Sequence, residues 1–134
     1  MISKFFYFFT AMLIVGLAAC TNDVLPPPEN PAFCNDITAT YDTNVKPIIE
    51  ESCTYAGCHN GAGGVTSTNY TTYNLLLPIL NNGEFRKKVI GQKDDPLLGM
   101  PPNKSAYPES VKDDLTEEEL QVIECWLNQG YPKN

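Results

Sequence analysis

Histidine and tryptophan are almost absent from this chain: one of each, His59 and Trp126, in 134 residues. A single histidine excludes any metal centre that takes two imidazoles from one chain. Basic residues are also few. Nine Lys and Arg face sixteen Asp and Glu, a formal net charge of −7. A chain of that sign is repelled by phosphate backbones, so nucleic acid is not an expected partner. Past the first twenty residues no apolar run approaches the roughly 20 residues that a membrane-spanning helix needs. No stretch alternates cleanly between apolar and polar, which argues against confident strands, and there is no internal repeat.

What is present begins with a leader. Lys4 supplies a minimal positive start, and residues 5–19 form an apolar run broken only by Thr10. That run is short for a membrane span and fits a secretory signal. It ends in Leu17-Ala18-Ala19-Cys20, which resembles the bacterial lipobox, where cleavage precedes the Cys and the Cys is lipidated. Residues 1–19 are therefore expected to be a lipoprotein signal peptide, and residues 20–33 a lipidated Cys20 with a Pro-rich tether containing Pro26, Pro27, Pro28 and Pro31. Residues 34–134 form the expected single domain. Loss of the leader removes one lysine and no acid, so −7 becomes −8. The expected location is the cell envelope of a Gram-negative-type bacterium, in the periplasm or at the outer membrane. Thr21 stands where retention in the inner membrane usually calls for Asp, which points to the outer membrane.

Five cysteines are present, at 20, 34, 53, 58 and 125. An odd count in an exported chain asks for an explanation, and lipidation of Cys20 gives one. Cys34 and Cys125 stand at the two ends of the domain, and a disulfide between them would tie those ends together. A competing scheme joins Cys53 to Cys58 as a small local disulfide and needs no cofactor.

The expected fold class is mainly α: a small helical domain with long loops. Thr43 can cap a short helix through Ser52, with Pro47 tolerated near its first turn and Val45, Ile48 and Ile49 at helical spacing. A loop rich in glycine follows. The spacing of Leu75, Leu76, Ile79 and Leu80 predicts a second helix over 71–80, and 85–90 a further short turn. Residues 91–110 hold four prolines and two glycines and read as loop. Thr116 and Glu119 form a capping box ahead of a last helix that Gly130 can stop.

The chemistry concentrates in Cys53-Thr54-Tyr55-Ala56-Gly57-Cys58-His59. Covalent haem attachment uses two thiols for thioether bonds, and the His after the second Cys lies under the iron. The usual spacing has two residues between the cysteines. Here there are four, and Gly57 makes the resulting bulge tolerable. The Cys58-His59 half is intact. His59 would be the proximal ligand. Met100 is the only methionine left once the leader is gone, and it sits in a proline-stiffened Gly99-Met100-Pro101-Pro102 loop. A thioether on iron raises the reduction potential. Met100 is therefore the expected distal ligand.

These segments together resemble a class I-type cytochrome c domain of a bacterial exported lipoprotein. The matching residues are Val45-Lys46-Pro47-Ile48-Ile49, Cys53 to Gly61, the Met100 loop, Leu115 to Leu120, and Trp126 to Gly130. The resemblance covers about 90 residues. It implies a helical domain around one covalent haem c, with Trp126 where the first and last helices cross. It also implies electron transfer rather than catalysis, with redox partner proteins and a membrane reached through the N-terminal lipid anchor.

Three other readings compete. A zinc ion could use Cys53, Cys58 and His59 with Cys34 or Cys125, but adjacent Cys58 and His59 fit one tetrahedral ion poorly. A cofactor-free, disulfide-stabilised surface lipoprotein acting as a binding module accounts for the cysteine parity equally well. It leaves the His after Cys58 and the lone Met before two prolines unexplained. A nucleophilic Cys lacks a base, because His59 cannot easily point at its own neighbour Cys58. The basic run Arg86-Lys87-Lys88 could meet haem propionates, although a solvated role is the commoner one for such a run.

Overall fold

Thr116 starts the last helix in the way its sequence predicts. Its hydroxyl accepts from the Glu119 backbone N–H at 3.2 Å, and the Glu119 carboxylate accepts from the Thr116 N–H at 2.8 Å. In the computed structural model of the chain, residues 30–63, 66, 68–108 and 110–134 are described. The leader 1–19, Cys20 and the tether as far as residue 29 lie outside them.

Four helices carry the fold, and no strand occurs among the described residues beyond one isolated bridge between Asn60 and Asn69. A short turn, Ala32–Asn35, precedes them. A π-helical turn, Tyr41–Val45, leads into α1, Lys46–Ser52, with Pro47 in its first turn as expected. The start of this segment corrects the sequence reading. Thr43 caps nothing. The chain turns helical two residues earlier, because the tail returns and binds it: Tyr41 and Asp42 donate their N–H groups to the Pro132 and Lys133 carbonyls at 2.9 and 3.0 Å. The second helix, α2, is Tyr73–Asn81. Gly83, at φ +78°, reverses the chain into α3, Glu84–Arg86, which continues as a π-helical turn, Lys87–Gly91. The last helix, α4, is Glu117–Asn128, and Gly130 ends it at φ +80°. The fold is mainly α, as expected.

Packing follows from the apolar faces. Val45 and Ile49 of the first segment, Leu76 of α2, Val89 after α3, and Ile123 and Trp126 of α4 are buried together in one cluster. Trp126 stands at its centre. Its ring lies 6.2 Å from Tyr41 and 6.2 Å from Phe85, and Nε1 donates to the Pro132 carbonyl at 2.9 Å. The first helical segment and the last therefore meet at an aromatic pair. Cys34 is bonded to Cys125, 91 residues away, and ties the opening turn to the last turn of α4.

Glu119 also binds Lys112 at 2.6 Å. Burial pushes its carboxyl pKa up, but the bonds from Lys112 and Thr116 outweigh that and hold it below the ordinary value. A carboxyl depressed in the folded state stabilises fully above its unfolded pKa, and that stability is lost as pH falls through the folded pKa. Glu119→Gln keeps a capping acceptor and removes the charge. It is expected to lower stability by about 1 kcal/mol at neutral pH and by progressively less in acid. Urea unfolding at both pH values measures the difference, and a gap independent of pH would refute the assignment.

Candidate functional site

The chain leaves the helix at Cys53, at φ −127°, and its backbone bonds fold it back on itself. The His59 N–H donates to the Cys53 carbonyl at 3.0 Å, and the Cys58 N–H to the Tyr55 carbonyl at 3.1 Å. Four residues therefore lie inside one tight loop, and Gly57 closes it at φ +95°, where side-chain-bearing residues are strained. The loop is tied outward as well: the Tyr55 hydroxyl donates to Ser110 Oγ at 3.1 Å.

His59 is held at its backbone and on its ring. Its carbonyl accepts from the Tyr70 N–H at 2.8 Å. The imidazole stacks on the Tyr70 ring, centroids 4.4 Å apart and planes 28° apart. Nδ1 lies 2.8 Å from the Thr68 hydroxyl, which lies 2.7 Å from Thr66 Oγ1. Burial pushes the His59 pKa down, so the ring is neutral at physiological pH. In the tautomer that carries its proton on Nδ1, the ring donates to Thr68 and leaves the Nε2 lone pair free. Metal-binding histidines share that arrangement. Neither Thr68 nor Tyr70 was singled out from sequence.

A cavity of about 660 Å³ adjoins this loop. Cys53, Cys58 and His59 line it, and so does Met100, which is 41 residues beyond His59. Most of the remaining wall is apolar, including Ile49, Leu76, Ile79, Phe85 and Val89. The four residues that the sequence marks out for haem thus face one space. Cys53 and Cys58 are not bonded to each other. Burial, and after it the neighbouring Cys58, push the Cys53 thiol up to about 12. A thiol so fully protonated is a poor nucleophile at neutral pH. Ser52 also lines the cavity, and its buried hydroxyl has no hydrogen-bond partner among the described residues.

The basic run after Glu84 does not act as one solvated unit. Arg86 binds Asn128, and Lys87 pairs with Glu84. Lys88 instead is half-buried at the cavity and is the one Lys or Arg among its described lining residues. Among the described residues, no group of three or more His, Cys, Asp or Glu side chains is gathered to hold a metal ion. Cys34 and Cys125, the fourth ligands weighed above for a zinc site, are bonded to each other.

No protein-family model matches the chain, and no curated protein or solved structure does so either.

Proposed function

We propose that the cavity takes one c-type haem, joined to Cys53 and Cys58 by thioether bonds, with His59 as proximal and Met100 as distal ligand. The chain is then an electron carrier built on a cytochrome c-like fold and held outside the cytoplasm by lipid on Cys20. One observation carries the reading: His59 and Met100, far apart in sequence, line the same apolar cavity as Cys53 and Cys58, the two unpaired cysteines among the described residues.

The residues present fit the group. The cavity volume lies in the range of roughly 300–1,000 Å³ that small-molecule and cofactor sites occupy. Its apolar walls exclude water from a flat apolar ring. Thr68 holds the orientation of His59 through Nδ1, and the Tyr70 ring stacks on its plane. When bound, the haem supplies a one-electron couple at iron. His59 and Met100 would both hold the iron, leaving no protein-free ligand site, and the chemistry supplied would then be electron transfer rather than oxygen chemistry.

An absorption spectrum of protein matured with a haem-attachment system tests this. Sharp reduced α and β bands that survive acid-acetone extraction are expected. Met100→Ala should keep the haem attached and lower the reduction potential, because a thioether ligand raises it. A colourless mature chain whose mass is that of polypeptide and acyl groups alone would overturn the proposal.

A further inference from the structure

Met100 is delivered to the cavity by a turn that apolar burial does not hold. Leu97 and Leu98, just before it, are 62% and 44% exposed. The turn is held by polar bonds, and they can be followed amide by amide. The Asp95 N–H donates to the Gln92 carbonyl at 2.9 Å. Pro96 has no N–H to place. The N–H groups of Leu97 and Leu98 both donate to Asp95 Oδ1 at 2.9 Å. The Gly99 N–H donates to the Asp95 carbonyl at 2.8 Å, and the Met100 N–H to the Lys88 carbonyl at 3.2 Å. Every amide from 95 to 100 is thus engaged, and three of the five end on Asp95.

The turn is also closed tightly on its own start. A Cβ added at Gly99 would stand 2.5 Å from the Gln92 carbonyl oxygen and 2.8 Å from that of Asp95. Behind it lies a second hollow of about 230 Å³, whose polar wall includes Lys93, Asp94, Asp114 and Glu117. Met100 borders both spaces. Its side chain therefore has somewhere to go if the turn slackens.

We infer that Asp95 is a positioning residue for the distal ligand: by clamping residues 97–99 it holds the Met100 thioether toward the cavity and out of the hollow behind. The inference rests on Met100 being that ligand. The electrostatic logic is simple. A carboxylate accepting two backbone N–H groups makes charge-assisted bonds, which are the strong ones. A methionine bond to iron is weak, so a small change in loop freedom changes its occupancy.

The test uses the mature holoprotein and three substitutions. The readouts are the far-red sulfur-to-iron charge-transfer band of the oxidised protein, the reduction potential, and the affinity for added imidazole. Asp95→Ala should keep the covalent haem, lose most of the band, lower the potential, and bind imidazole about tenfold more tightly, as a freed iron position would. Asp95→Asn keeps an acceptor oxygen and should restore most of the band. Gly99→Ala strikes the turn from its other side and should lose the band too, which keeps the inference testable where Asp95→Ala does not mature. Wild-type band, potential and imidazole affinity in Asp95→Ala, with the band lost in Met100→Ala, would overturn the inference alone. A wild-type holoprotein without the band would remove Met100 from the iron and the inference with it.

Discussion

Mature protein carrying Cys53→Ser and Cys58→Ser together is expected to contain no covalently bound haem, against one per chain in the wild type. The effect is all-or-none, because a hydroxyl does not form the thioether that a thiol forms with a vinyl group. Each single substitution leaves one bond, so singly attached product is expected from both. A second consequence follows from the cavity. Its roughly 660 Å³ is walled by Ile49, Leu76, Phe85 and Val89, and without a ring against them these side chains lose contact on one face. Anything that binds only the folded state stabilises it by mass action, and a covalent occupant cannot dissociate. The double variant should therefore melt well below the holoprotein. Thiol counting after reduction and denaturation decides the wider question. Apart from the lipidation candidate Cys20, a haem-bearing chain offers two alkylable thiols, Cys34 and Cys125. A cofactor-free binding module offers four. Four in the wild type would end the cytochrome reading and leave the module in its place.

Some of this was legible in the sequence because the causes are local. The capping box of α4 needs only Thr116 and Glu119, three residues apart, and the structure has both of its bonds. The helix over 71–80 follows its leucine spacing and is observed as Tyr73–Asn81. Pairing of Cys34 with Cys125 follows from parity once Cys20 and the central cysteines are set aside, and the structure makes that bond. Cys53, Cys58, His59 and Met100 were marked out by the Cys-His motif and the Met-Pro-Pro loop as haem-binding residues, and the structure places all four on the lining of one cavity, whose occupant is a proposal. The rest depends on contacts across the fold. The first helical segment starts at Tyr41 because the C-terminal tail binds its first amides, 91 residues away for both pairs. Thr68 and Tyr70 meet His59 only after a glycine-containing loop folds back. Lys88 separates from its basic neighbours only because the turn after α3 aims it inward. The Asp95 clamp is the exception. Asp95-Pro96-Leu97-Leu98-Gly99 carries a readable turn signature, an Asp whose side chain can serve amides two and three residues on. It was covered by the general description of 91–110 as loop.

Removal of the Cys34–Cys125 bond is expected to destabilise the domain by about 4–5 kcal/mol in the chain-entropy model, given a loop of this length. The separation is 91 residues. Domains of this size are stable by roughly 5–15 kcal/mol in all, so that loss brings the chain close to unfolding. Besides this bond, the segment before Tyr41 is tied to the end of α4 by hydrogen bonds through Gln129, whose side chain accepts from the Ala39 N–H and donates to the Ile37 carbonyl, and by burial of Ala39 in the core. Cys34→Ala with Cys125→Ala is the cleaner variant. Both positions are buried, at 3% and 0% exposure, and serine there would add an unpartnered hydroxyl that itself costs about 1–3 kcal/mol. Urea midpoints of the variant and the wild type measure the difference, and a change below about 1 kcal/mol would show that the bond is not a main constraint on the unfolded chain. The same experiment on wild-type holoprotein with a reductant distinguishes the two cysteine pairs chemically. A disulfide is reducible and a thioether is not. Reduced holoprotein should therefore lose the stability that the terminal pair confers while keeping its colour. Loss of the haem under reductant alone would mean that Cys53 and Cys58 do not hold it covalently.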